Sequence, residues 1–176
     1  LRCGRVLLNA LVLLLVMNAA AWLFFSVKDD LSKTGNSVAA KYGPAVYELY
    51  PNLSRAEVDA LLQEMWSRWY RYDPFTQFRE AEYSGKYVNV SAAGFRTVKD
   101  QGSWPPQKNN LNIFIFGGST VFGYGLPDWE TSASFLQEAL NLQAGRAKPV
   151  KIYNFAASKF ISTQEVARFQ NLLRDG

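Results

Sequence analysis

LNIFIFGGSTVFGYGLPD (Leu111 to Asp128) is an apolar run that stops abruptly at Gly117, Gly118, Ser119 and Thr120. A short apolar run ended by turn residues is the pattern of a buried strand followed by a tight turn. The glycines let the backbone bend sharply at the strand's carboxyl end, which leaves Ser119 exposed beside backbone amides. Such amides can hold a developing oxyanion, but a serine hydroxyl becomes nucleophilic only with a base beside it. The turn offers the first element and lacks the second. A phosphate-binding reading fails: Gly118 to Gly123 has the right glycine spacing, but Tyr124 and Gly125 stand where Lys and Ser/Thr are needed.

Downstream, the spacing predicts a helix from about Thr131 to Gln143 with Phe135, Leu136, Ala139 and Leu140 inward. VKIYNF (Val150 to Phe155) reads as a second strand, and Ser162 to Glu165 as a capping box opening a helix through Leu173. Strand, helix, strand, helix is the start of a parallel α/β sheet. Sites in such sheets lie at the carboxyl ends of strands, where Ser119 and the loop from Asn154 to Ser162 fall.

Upstream, KDQGSWPPQKNN (Lys99 to Asn110) is a polar loop carrying Pro105 and Pro106, read as a domain boundary. Before it lies a segment dense in rings: Tyr70, Tyr72, Phe75, Phe78, Tyr83, Tyr87 and Phe95. These rings serve a core or stack on sugar faces, and composition does not separate the two. Ser54 to Glu57 forms a capping box for a helix to about Tyr70, with Val58, Leu61, Leu62, Met65, Trp66 and Trp69 on one face. Lys28 to Asn52 reads as a stalk with one helical turn near Ala45 to Tyr50. Asn52 and Asn89 each head an N-glycosylation pattern, which has weight only in a eukaryotic secretory setting.

The chain opens with VLLNALVLLLVMNAAAWLFFSV (Val6 to Val27), free of charge and long enough to span a bilayer. Arg2 and Arg5 precede it, whereas Lys28, Asp29, Asp30 and Lys33 follow with no net charge, which places the N-terminus in the cytoplasm and the rest outside. Ala19, Ala20 and Ala21 also permit a cleavable secretory signal. Cys3, before the apolar run, is an acylation candidate or a plain thiol.

Composition excludes more than it assigns. The chain has one cysteine and no histidine, so these residues alone make no disulfide, cysteine zinc site, histidine metal site or Ser-His-Asp triad. The whole chain carries +4, but from Lys28 onward 17 Lys and Arg stand against 15 Asp and Glu, a net +2 that is too balanced to argue for nucleic acid.

FGGSTVFGYGLPDWET (Phe116 to Thr131) and YNFAASKFISTQE (Tyr153 to Glu165) resemble the first two blocks of the SGNH, or GDSL-like, hydrolases, and GKYVNVSAAGFRT (Gly85 to Thr97) resembles the segment that precedes them. The resemblance covers about residues 72 to 173. It implies a flavodoxin-like parallel sheet, of which these residues carry the first half. It further implies that Ser119 is the nucleophile, with Gly117 and Gly118 shaping its turn. The backbone amides of Ser119 and Lys159 would then be the oxyanion donors, and Asn154 the support of the second loop. Gly118 stands where the Gly-Asp-Ser form has Asp, and the family's later block with Asn and its Asp-x-x-His segment are absent from these residues.

The expected architecture is therefore a cytoplasmic stub and transmembrane anchor (1–28), an extracytoplasmic stalk and helical, aromatic segment (29–110) and a partial SGNH-like α/β domain (111–176). Because the chain opens on Leu1 and carries only two strands of the sheet, further residues or a partner are expected to complete the fold. The resemblance implies a membrane-anchored hydrolase of esters or O-acyl groups in the bacterial inner membrane, its main domain periplasmic, with no cofactor and no metal. The alternative is a non-catalytic accessory subunit that docks other membrane subunits through its helix. A carbohydrate-binding module built on the aromatic segment is the third reading.

Overall fold

The structure is a computed structural model and describes residues 2–33, 38–143 and 148–174. It divides into two compact units, Leu1–Val46 and Tyr47–Gly176.

In the first unit, helix α1 spans Arg2–Lys33. Its stretch Gly4–Val27 has a mean hydropathy of 2.3 and no buried residues within the unit, so by length and composition it can cross a membrane. Those 24 residues rise about 36 Å, enough for a hydrocarbon core of about 30 Å. The same length and apolarity suit a membrane anchor or a signal sequence. Asn18 turns its side-chain amide onto the Leu14 carbonyl of its own helix (2.8 Å), which satisfies a polar group that lipid would leave without a partner. The side chains of Arg2, Cys3 and residues 28–33, on which the orientation and acylation expectations rest, lie outside the described ones. The expected stalk carries two short 3-10 turns, Val38–Tyr42 and Pro44–Leu49.

The second unit begins with helix α2 (Arg55–Ser67), whose capping box closes as expected: the Ser54 hydroxyl accepts from the Glu57 amide and Glu57 accepts from the Ser54 amide. Val58, Leu61, Leu62 and Met65 are buried. Trp66 and Trp69 depart from the expected inward face. The helix ends at Ser67 and Arg68 turns extended, so Trp69 leaves the helical stripe and is 81 % exposed, while Trp66 packs edge-on against Tyr124 at the rim. Glu64 ties the helix to the chain some twenty residues on by accepting from the amides of Lys86, Tyr87 and Val88 at 2.9 to 3.0 Å.

Two small hairpins come next, β1 (Tyr70–Asp73) with β2 (Gln77–Glu80) and β3 (Tyr83–Ser84) with β4 (Asn89–Val90). The aromatic-dense segment separates here into two populations: Tyr87 and Phe95 are core, whereas Tyr72 and Phe75 face outward. Asn89 commits its side-chain amide to Asp128 and to the Gly85 amide, which occupies the second glycosylation pattern internally.

Strands β5 (Leu111–Ile115) and β6 (Val150–Asn154) are parallel, Leu111 opposite Val150 and Ile115 opposite Asn154. The coarse expectation of an α/β unit on a parallel pair therefore holds, with helices α3 (Ser119–Phe122), α4 (Ser132–Asn141) and α5 (Ser162–Arg174) interleaved. Arg96 bridges Val90 on one side and Asn154 on the other, so the β3–β4 hairpin joins β6 through a single residue. The residues upstream of the polar loop lie in the same compact unit as the sheet, Tyr47–Gly176. The loop itself is tied down, since Gln101 donates to the Ile152 carbonyl and Ser103 accepts from the Tyr153 hydroxyl.

Helix α4 corrects the expected packing. Ala133, Ser134 and Gln137 face inward, while Phe135 (55 %) and Leu136 (43 %) are exposed and Ala139 with them. The reason is hydrogen bonding: α4 runs beside the outer edge of β6 and caps it with amide side chains. Gln137 accepts from the Ile152 amide (2.8 Å), and Asn141 both accepts from the Val150 amide and donates to its carbonyl. A covered edge of this kind blocks further pairing. The other edge of the pair, along β5, has no partner strand among the described residues. Helix α5 is capped one residue earlier than expected: Gln164, not Glu165, returns a side-chain bond, and it goes to the Ile161 amide.

Candidate functional site

Gly117 is the first requirement of the turn after β5. A Cβ there would lie 2.4 Å from the Val121 side chain, so only glycine allows α3 to fold back this closely. Gly118 is extended and precedes α3; a Cβ on it would stand 3.1 Å from the Phe160 carbonyl oxygen. Ser119 opens α3 and is exposed. Gly123 ends the helix in the left-handed region (φ +79°), with its amide on the Thr120 carbonyl and the Tyr124 amide on the Ser119 carbonyl.

The loop after β6 lies against this turn. The Ala157 amide donates to the Gly117 carbonyl (3.1 Å). Asn154, buried at the end of β6, donates from its side chain to the Val121 carbonyl (2.8 Å) and accepts from the Ala156 amide (3.1 Å). One side chain thus shapes its own loop and ties it to α3. Lys159 holds a positive φ of 74°, unusual for a residue with a side chain, and its ammonium lies 5.0 Å from the centre of the Tyr70 ring. The amides of Ser119 and Lys159 have no hydrogen-bond partner among the described residues. Ser119, Gly117, Gly118, Asn154 and Lys159 are therefore gathered at the carboxyl ends of the two strands.

Beneath the two loops sits a charged cluster that sequence reasoning missed. Arg96 is fully buried and donates to the carbonyls of Phe122 (3.1 Å), Gly123 (2.7 Å) and Leu126, and to the Asp128 carboxylate (3.1 Å). Burial lowers its pKa to about 10 against the pull of Asp128, so it stays charged at neutral pH. Burial raises Asp128 as well, opposed by Arg96 and by two bonds from Asn89. A second buried pair joins Arg68 to Glu80 at 3.5 Å, and the other Glu80 oxygen accepts from the Ser158 amide at 3.0 Å. The guanidiniums of Arg68 and Arg96 lie 4.4 and 4.8 Å from the centre of the Phe122 ring. Tyr70 nearby is raised by burial and by Glu80. Arg96 and Asp128 both stand inside the stretches that carry the family resemblance, but they are 32 positions apart and no periodicity announces that they meet.

A cavity of about 520 Å³ opens elsewhere, between the Lys99–Asp100 turn, α4 and Lys151, and shares no residue with the Ser119 turn. No family model matches the chain, and no curated protein matches it either.

Proposed function

We propose that the chain is part of a membrane-anchored, extracytoplasmic hydrolase of the SGNH type that cleaves esters or O-acyl groups through Ser119. The observation that carries this reading is the meeting of two loops at the ends of β5 and β6: an exposed serine, and the amides of that serine and of Lys159, neither with a partner among the described residues. Ser119 Oγ attacks the acyl carbonyl and gives its proton to a base. The carbonyl oxygen becomes an oxyanion held by the two amides, each such donor contributing about 3 to 4 kcal/mol to the barrier reduction. Collapse expels the alcohol, which takes the proton back, and water then releases the acyl group from the serine by the same steps reversed. With no histidine among the 176 residues, the base in this scheme is a histidine held by an aspartate, supplied from outside them. The helix Gly4–Val27 keeps the domain at the inner membrane with its N-terminus in the cytoplasm.

The test is hydrolysis of a short-chain aryl ester by the native protein purified from its own membrane. Ser119→Ala lowers the rate by about a thousandfold or more if the reading is right; an unchanged rate in the folded variant removes it. A second reading, a non-catalytic subunit of a larger membrane complex, requires no base and so fits these 176 residues, which hold no histidine, as they stand. Under that reading Ser119→Ala has no effect, and deleting Val6 to Val27 releases the protein from its partners.

A further inference from the structure

We propose that Glu80 and Arg96, both supplied by the segment before the parallel sheet, are positioning residues for the Ser119 site, each fixing one of its two loops. The inference rests on the hydrolase reading and adds to it two side chains that come from before the Ser119 turn.

Glu80 ends β2 and is buried. One carboxylate oxygen accepts from the Ser158 amide, the residue immediately before Lys159. That bond, and the Ala157 amide on Gly117, take up the two preceding amides of the loop, while Phe160 donates to the Ala157 carbonyl. Among successive amides from Ala156 to Phe160, only that of Lys159 has no partner among the described residues. The positive φ at Lys159 is a conformation that costs energy and persists only where the surroundings impose it. Glu80 is one such constraint. Its other oxygen faces the buried Arg68, so the carboxylate is itself held from behind. The hairpin that carries Glu80 is joined to the far side of the same loop as well: Gln164 donates to the Thr76 carbonyl, and the Phe78 ring packs on Phe160 (5.5 Å).

Arg96 does the equivalent for the first loop. Its guanidinium donates to the carbonyls of Phe122, Gly123 and Leu126, which ties down the far end of α3. Asn154 holds the Val121 carbonyl beside them, so the carbonyls of three consecutive residues at the end of α3 are each fixed by a buried side chain. A displacement of about 1 Å in such a site costs on the order of a hundredfold in rate.

The experiment uses the native full protein in detergent, with two readouts. The first is the rate of labelling by an alkyl fluorophosphonate; the second is amide hydrogen exchange in 118–124 and 157–161, which needs no activity. Glu80→Ala, which removes the acceptor, is expected to slow labelling by about tenfold to a hundredfold and to speed exchange in 157–161. Glu80→Gln keeps an acceptor oxygen in place and is expected to rescue both to within about threefold. Arg96→Lys, the milder change at the second position, is expected to speed exchange in 118–124 and to slow labelling. If Glu80→Ala and Arg96→Lys fold, label at the wild-type rate and leave exchange unchanged, the proposal is overturned. If the wild-type protein takes no label, the hydrolase reading fails, and exchange alone then decides whether these two side chains hold the loops. If a variant does not fold, the remaining one decides by the same two readouts.

Discussion

Replacing Arg96 by Met keeps an apolar stem of similar length and deletes the guanidinium. The Asp128 carboxylate then loses its charged partner, and the carbonyls of Phe122, Gly123 and Leu126 lose their donor. Breaking a buried pair from one side costs about 3 to 5 kcal/mol. Asn89 still donates two bonds to Asp128, which argues for the lower end, while the three carbonyls add about 1 kcal/mol each where water cannot reach them. The expected loss is about 6 kcal/mol, against a total stability of about 5 to 15 kcal/mol for a domain. For a unit of this size that corresponds to a fall in Tm of about 20 °C. The assay is thermal unfolding of the detergent-solubilised full chain followed by near-ultraviolet circular dichroism, with Asp128→Leu and the Arg96→Met/Asp128→Leu double variant beside it. The double variant strands no charge and is expected to recover at least about 2 kcal/mol relative to the sum of the singles. A Tm within about 3 °C of wild type for Arg96→Met, or strict additivity in the double variant, would refute the view that this pair supports the Ser119 turn.

Other perturbations act through neighbouring contacts. Thr131 caps α4 from a fully buried position, accepting from the Ser134 amide and donating to the Asp128 carbonyl, so Thr131→Ala is expected to cost about 1 to 2 kcal/mol in a denaturant melt. Gln137→Leu fits the space but leaves the Ile152 amide without its acceptor; a loss of about 1 to 3 kcal/mol and faster exchange of that amide are expected. Asp73 is pushed up by burial, but bonds from the Thr76 and Phe75 amides outweigh that and lower its pKa. A lowered folded pKa gives stability that is present above the unfolded value near about 3.9 and is lost as the pH falls through the folded one. Asp73→Asn should therefore remove part of the acid sensitivity below about pH 4, read as a shallower fall of Tm with pH.

The elements that a single side-chain period announces were legible in the sequence. The box at Ser54, the apolar face of α2 through Met65 and the two strands at Leu111 and Val150 arise from local pattern alone. Helix α4 was legible as a helix but not in its facing, because apolar spacing assumes packing on a sheet face. Here the helix is held by the amides of Gln137 and Asn141 along a strand edge, and nothing in a hydrophobic pattern encodes that. Trp69 illustrates the same limit, since its helical register ends where Arg68 leaves the helix. At the candidate site, Gly117, Gly118 and Ser119 could be named because glycine and serine at a strand end have a local meaning, whereas Asn154 and Lys159 were named only through the family resemblance. Glu80, Arg96 and Asp128 could not. Each is a charged residue whose partners lie far along the chain, and only folding brings the Ser158 amide to Glu80 or the Phe122 carbonyl to Arg96. Nor does the sequence show how the Tyr47–Gly176 unit joins through Arg96, a bridge one residue long.

Whether Ser119 is a nucleophile is tested most directly by treating the native protein, isolated from its own membrane, with a fluorophosphonate and mapping the modified peptide by mass spectrometry. One phosphonylated residue is expected, Ser119, with labelling lost in Ser119→Ala and slowed in Glu80→Ala. A folded native protein that takes no label, or that takes it on another residue and keeps it in Ser119→Ala, would contradict it.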